Sequence, residues 1–217
     1  MTLSTDKAAI VLETIEHPWI CGSWEEYLVL SDRDPKAKAN YFRGSYQLIM
    51  GIGADHGIVN TTIAMLVMLF CTIKGIPHRG LINTSYRKEG VRECQPDISY
   101  YIQESVNLCP KGSSVVDLDE YAPPNLVIEI SNSSLSNDIG IKRMLYEEMR
   151  VQEYWVIDVQ RLEIVAFTIH DNLGSQRISE SRVLTGLAFP LIEQALQKSQ
   201  EEDNSQIGQW FMGQIKS

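Results

Sequence analysis

The 217-residue chain has little of what usually announces a chemistry. Its four cysteines, Cys21, Cys71, Cys94 and Cys109, are widely spaced and form no CxxC pair. Neither a zinc ribbon nor a disulfide framework is suggested, and reduced, buried thiols are expected. His17, His56, His78 and His170 show no close ligand spacing, which argues against zinc. There is no Gly-x-Ser-x-Gly elbow or Cys/His pairing for acyl transfer. Gly51-Ile52-Gly53-Ala54-Asp55-His56-Gly57 misses the GxGxxG spacing by one position, and no acidic residue follows about 20 positions on, so it reads as a strand-to-helix turn. Internal repeats and low-complexity segments are also missing.

Positive charge is scarce. Nineteen Lys and Arg against 28 Asp and Glu leave a formal charge of −9, which argues against coating nucleic acid through an overall field. Local basic clusters remain: Lys36, Lys38 and Arg43, then Arg79, Arg87, Lys88 and Arg92, each readable as a solvated face or as one side of a groove. The longest apolar run, Ile58 to Ile73, is broken by Asn60, Thr61 and Thr62 and falls short of the roughly 20 residues that cross a bilayer. A buried helix is expected there, with no membrane partner. The start is polar and mixed in charge, without a leader pattern, so a cytoplasmic location is expected. With 44% hydrophobic residues the chain can fill one core. Residues 1–217 are taken as one domain, with an N-terminal appendage over about 1–40 and a C-terminal helix and tail over about 190–217.

Ser23 followed by Glu26 is a capping-box pattern opening a helix at Trp24. Ser45 to Met50 has strand character. Val59, Ile63, Leu66, Val67, Phe70 and Ile73 repeat with a helical period over 56–74. Strands are expected around 80–85, 93–102 and 126–131, the last a continuous Leu-Val-Ile run suited to the centre of a sheet covered on both faces. A helix is expected over about 138–150, with Asp138 either capping it or taking part in chemistry, then a hairpin of 153–158 and 163–168 beside the core. Leu191 to Leu196 begins an amphipathic helix, and Trp210-Phe211-Met212 is an apolar patch after a polar linker.

Against this background two acids stand out. Asp97 follows Pro96 at the head of an apolar strand, Glu129 lies inside the Leu126–Ser131 run, and Lys142 follows in a helix. Burying an unpaired acid is costly, so two of them with a nearby cation suggest a Mg²⁺ site for phosphodiester chemistry. Such an ion takes one or two carboxylates and keeps several waters, one of which can lose a proton and attack phosphorus. Two acids and one strand carbonyl, that of Ile130, would supply enough protein ligands. Lys142 and Tyr146 share a helix face at i and i+4.

The order strand, turn, strand with Pro-Asp, strand with Glu-x-Ser, helix with Lys, strand resembles the PD-(D/E)XK nuclease superfamily. Within it the chain is similar to the Uma family of restriction-endonuclease-like proteins. The resemblance rests on Trp24 to Leu28, His56-Gly57, Leu126 to Ser134, Asp138, Lys142, Leu145-Tyr146-Glu147 and Val151 to Asp158, and covers about residues 23–196. It implies an α/β (α+β) fold, a restriction-endonuclease-like mixed central sheet flanked by helices. It further implies Asp97 and Glu129 as ligands of Mg²⁺, with Mn²⁺ as a substitute, and Lys142 as the electrostatic group; the positions of the neighbouring residues add auxiliary candidates, Tyr146 to orient the lysine or a phosphate, Ser131 to hydrogen-bond the lysine or the water, and His56 to approach from the helix start. Where the superfamily usually has lysine two positions after the acid, this chain has Ser131, and the resemblance implies a lysine moved to the following helix. The expected function is a Mg²⁺-dependent endonuclease acting on DNA, working as a homodimer. The alternative is a catalytically inactive nuclease-fold protein that binds nucleic acid or a protein partner, and a third reading is an interaction domain unrelated to nucleic acid.

Overall fold

The computed structural model describes residues 18–33, 37–49, 53–112 and 115–216. His17, Lys36, Met50, Gly51 and Ile52, named above, lie outside them. The described residues form two mixed sheets flanked by helices. The larger has the order β12 (Ser175–Ile178), β11 (Glu163–Ile169), β10 (Glu153–Asp158), β9 (Leu126–Ser131), β7 (Ile98–Ile102), β4 (His78–Ile82). The smaller runs β1 (Ile20–Cys21), β3 (Ser45–Ile49), β2 (Lys38–Phe42), β6 (Arg92–Cys94), β5 (Ser85–Lys88), β8 (Val115–Asp117).

As the Leu-Val-Ile run requires, β9 is central and every one of its residues is buried. It pairs in parallel with β10 and antiparallel with β7. Alternation sends Leu126, Ile128 and Ile130 into one core and Val127 into another. The first core is closed by α2 (Ala54–Lys74), whose Val59, Ile63, Leu66, Val67 and Phe70 are buried, together with α5 (Phe189–Lys198) and α6 (Asn204–Lys216). The length and apolarity of α2 would span a bilayer, but those contacts make it a core helix. The second core lies under α4 (Arg143–Met149), through Leu145, Tyr146 and Met149. Glu129 stands on the Val127 side of β9, toward α4.

The capping box forms as expected at α1 (Trp24–Arg33): Ser23 Oγ accepts from the Glu26 N–H (3.2 Å), and the Ser23 N–H donates to Glu26 Oε2 (2.8 Å). The hairpin β10–β11 also forms, with Glu153 opposite Thr168 and Asp158 opposite Glu163. Its first strand belongs to the sheet centre rather than beside the core.

Several expectations are corrected. The 93–102 strand is two strands in different sheets, because Pro96, with its locked φ and missing N–H, interrupts the ladder between β6 and β7. The helix expected from Asp138 starts earlier, as α3 (Leu135–Asn137), a π-helical turn (Asp138–Lys142) and then α4. The apolar C-terminal patch is part of α6 and sends Phe211 into the core, while Trp210 and Met212 are half-buried. Cys71, Cys94 and Cys109 are buried free thiols, but Cys21 is exposed, on the short edge strand β1.

The Glu-Tyr-Trp strand has its own structural logic. Buried Glu153 accepts from Trp155 Nε1 (2.6 Å) and from the N–H groups of Arg182 (2.8 Å) and Val183 (3.1 Å), tying a loop to the central sheet. Glu153→Ala leaves all three donors without this acceptor and is expected to cost about 2–4 kcal/mol of stability, measured by urea denaturation. A loss below about 0.5 kcal/mol would refute that role.

Candidate active site

Four separate segments deliver charged groups to one point. Asp97 precedes β7, Glu129 sits in β9, Lys142 ends the π-helical turn, and Lys38 begins β2 in the smaller sheet. Asp97, Glu129, Asp138 and Lys142 are each exposed by 2% or less. Lys38 Nζ bridges the two acids, 3.0 Å from Asp97 Oδ1 and 2.7 Å from Glu129 Oε2. The other carboxylate oxygens are taken up as well. Asp97 Oδ2 accepts the Ile130 N–H (2.8 Å), and Glu129 Oε1 accepts the Tyr146 hydroxyl (2.6 Å) with Lys142 Nζ 3.5 Å away. His56, in the first turn of α2, places Nε2 3.3 Å from Asp97 Oδ1, off the line of a hydrogen bond.

The Asp97, Glu129 and Lys142 picked from the sequence therefore lie together, and His56 and Tyr146 join them. Tyr146 contacts Glu129 rather than the lysine. Asp138 is not a helix cap: it lies inside the helical run, buried, with Oδ1 2.8 Å from Lys142 Nζ and Oδ2 accepting from Ser134 Oγ (2.5 Å). Ser131 Oγ faces Ser134 Oγ at 3.4 Å, so it touches the cluster through a chain of hydroxyls. Ile130 lines the adjoining cavity and contributes its N–H to Asp97. Lys38 was legible only as part of a basic cluster, because its role depends on strand pairing between distant segments. Of the other basic residues, Arg43 and Arg92 pair with Glu148, Arg87 with Glu93, and Lys88 with Asp119.

Burial opposes ionisation of Asp97, but Lys38, His56 and the Ile130 N–H override it and hold the carboxyl well below the usual range. For Glu129 burial prevails over Lys142 and Lys38, and its pKa rises. Burial disfavours the charged form of Lys142, yet Glu129 and Asp138 outweigh it and push the ammonium pKa up. Lys38 is raised in the same way by Asp97 and Glu129 against its burial. Burial, then the Glu129 charge, keeps the Tyr146 phenol neutral and therefore a donor. A cavity of about 120 Å³ opens beside the cluster, lined among others by Lys38, His56, Asn132 and Ser133. It has room for several waters.

Asp97, whose folded pKa is depressed, contributes stability above its unfolded value of about 3.9, and that contribution is lost as pH falls below it. Asp97→Asn is expected to cost about 3–5 kcal/mol near neutral pH, since it leaves Lys38 short of one buried partner. The gap to wild type should narrow below about pH 4, where the contribution of the ionised Asp97 is progressively lost. Melting temperatures from pH 7 to 2 check this; a constant gap contradicts it. Tyr146→Phe removes a donor to a charged acceptor and should cost about 1.5–3 kcal/mol in the same assay.

The chain matches the family model named Uma2, described as "Putative restriction endonuclease", over residues 24–200. No curated protein matches it. Among solved structures it is similar to the crystal structure titled as a putative nuclease belonging to DUF820 from Anabaena variabilis ATCC 29413. That likeness has 15% identity, covers 80% of this chain and 90% of that one, and has a TM-score of 0.48. The family match spans every charged residue of the cluster, from Lys38 to Lys142, and the chain belongs to the Uma2 family.

Proposed function

We propose that this protein is a Mg²⁺-dependent endonuclease that hydrolyses phosphodiester bonds of DNA. The observation that carries the reading is the convergence of Asp97 Oδ1 and Glu129 Oε2 on a single cation, the Lys38 ammonium, beside a cavity. The donor set suits a hard divalent ion: two carboxylate oxygens fixed from behind by the Ile130 N–H and the Tyr146 hydroxyl, with space for the waters Mg²⁺ retains. Among the described residues no group of three or more His, Cys, Asp and Glu side chains forms a metal cage.

When bound there, Mg²⁺ or Mn²⁺ would supply charge and a water of lowered pKa as the nucleophile. The chain's own residues do the rest. Asp97 and Glu129 would hold the ion, and the Tyr146 hydroxyl and the Ile130 N–H keep their carboxylates from rotating. Lys142, held by Asp138, presents a fixed positive charge to the oxygens that become more negative as phosphorus is attacked. Asn132 and Ser133 at the cavity offer uncharged polar contacts to a strand.

A second reading, a catalytically inactive nuclease fold that binds DNA or a protein, is favoured by the net charge of −9 and by the acid partners of Arg43, Arg87, Lys88 and Arg92. Incubating plasmid and single-stranded DNA with Mg²⁺ or Mn²⁺ separates the two. Wild type should cleave, with rates lowered roughly 100-fold or more in Asp97→Asn and Lys142→Met. Cleavage equal in all three proteins, or metal-independent, removes the assignment; DNA retention without cleavage supports the second reading. Cutting both strands would pair two copies, and light scattering with DNA should show a dimer; a monomer at micromolar concentration excludes that pairing.

A further inference from the structure

The position assigned to the divalent ion is held by a cation of the chain itself. Lys38 contacts Asp97 Oδ1 and Glu129 Oε2, while Asp97 Oδ2 and Glu129 Oε1 are committed to Ile130 and Tyr146. Lys142 is built differently. It has a carboxylate of its own, Asp138 at 2.8 Å, and its distance to Glu129 Oε1 is 3.5 Å, so it stays compensated when Glu129 turns to another cation. Among the described residues Lys38 pairs only with the two acids that would bind the ion, and its side chain is 10% exposed against 3% for Lys142.

Charge balance points the same way. Three buried carboxylates, Asp97, Glu129 and Asp138, face two ammonium groups, Lys38 and Lys142. A divalent ion added beside Lys38 would leave one surplus positive charge. A divalent ion in place of Lys38 leaves none. In a medium that solvates charge poorly, the balanced arrangement is favoured.

We propose that Lys38 and a divalent cation compete for one position: Lys38 is the resident counter-ion of the metal-free protein and leaves Asp97 and Glu129 when the ion enters. The proposal rests on the reading of those acids as the ion's ligands. Lys38 thereby neutralises the repulsion between the two carboxylates before metal arrives, and it sets a threshold concentration for the ion.

Titration calorimetry with Mn²⁺ tests this on wild type, Lys38→Met and Asp97→Asn. Lys38→Met should bind Mn²⁺ roughly tenfold or more tightly than wild type, the scale of an ordinary coupling between two ligands. Asp97→Asn should bind poorly. Equal or weaker binding by Lys38→Met, with wild-type binding still lost in Asp97→Asn, overturns the competition and leaves the metal-site reading standing. No binding by either wild type or Lys38→Met removes both. Because Lys38→Met strands two acids and can fail to fold, the wild-type protein provides a second readout. The ammonium ¹⁵N resonance of Lys38, assigned with Lys38→Arg, should lose its protection from solvent exchange as Mg²⁺ saturates the site, while that of Lys142 persists. Protection of both resonances in saturating Mg²⁺ refutes the exchange.

Discussion

Ionised groups removed from water must bring their opposite charges with them, and the arrangement of this protein follows from meeting that need at one place. Asp97, Glu129 and Asp138 could not be buried as they are without Lys38 and Lys142. Each ammonium has to arrive on a segment whose backbone is already committed elsewhere: Lys38 on a strand of the smaller sheet, Lys142 on a helical turn that covers the larger one. Buried ion clusters are a poor source of stability, since apolar residues of similar volume often do as well or better. Here the cluster lies between the two apolar cores on either side of β9, which supply the burial that holds it in place.

The π-helical turn is what lets one helical run send three groups to the same place. Four residues of α-helix overshoot a full turn by about 40°, so positions 138, 142 and 146 would drift steadily around the axis. A wider turn over Asp138–Lys142 slows that drift. Asp138 then meets Lys142, and Lys142 and Tyr146 both reach Glu129 Oε1. The change also explains how the lysine can sit on a helix while Ser131 occupies the strand position. The cation comes in from the covering layer rather than from the sheet.

Much of the large sheet was legible in the sequence because its strands are long, apolar and locally consistent. Leu126–Ser131 declares itself by an unbroken buried run, and β10 and β11 by aromatic and β-branched residues around a short turn. The same local signals placed Asp97 and Glu129 on strands, while the part given to Lys142 came from the family resemblance. The smaller sheet left weaker traces: β6 and β8 have three residues each and β5 four, with Arg, Lys, Glu and Asp among them. Their pairing is set by tertiary contact rather than by pattern. Lys38 was hidden for the same reason, since nothing near it in sequence reveals a carboxylate partner. In α6 the apolar residues Ile207, Phe211 and Ile215 do recur at a helical spacing and complete the core, but Gln and Gly separate them, so the segment reads as a short apolar patch until the whole turn pattern is counted.

The two bonds of Lys38 join residues 59 and 91 positions apart in sequence. Contacts of that span come at the entropic expense of closing long loops, and chains generally form them after shorter-range structure is in place. The β10–β11 hairpin and the α2 helix need no such closure. During folding, therefore, Asp97 and Glu129 wait for β2 to dock before they acquire their counter-ion. On that argument the ion pairs of Lys38 with Asp97 and Glu129 are expected to form after the hairpin and the helix, so the buried charges meet only in a nearly complete fold.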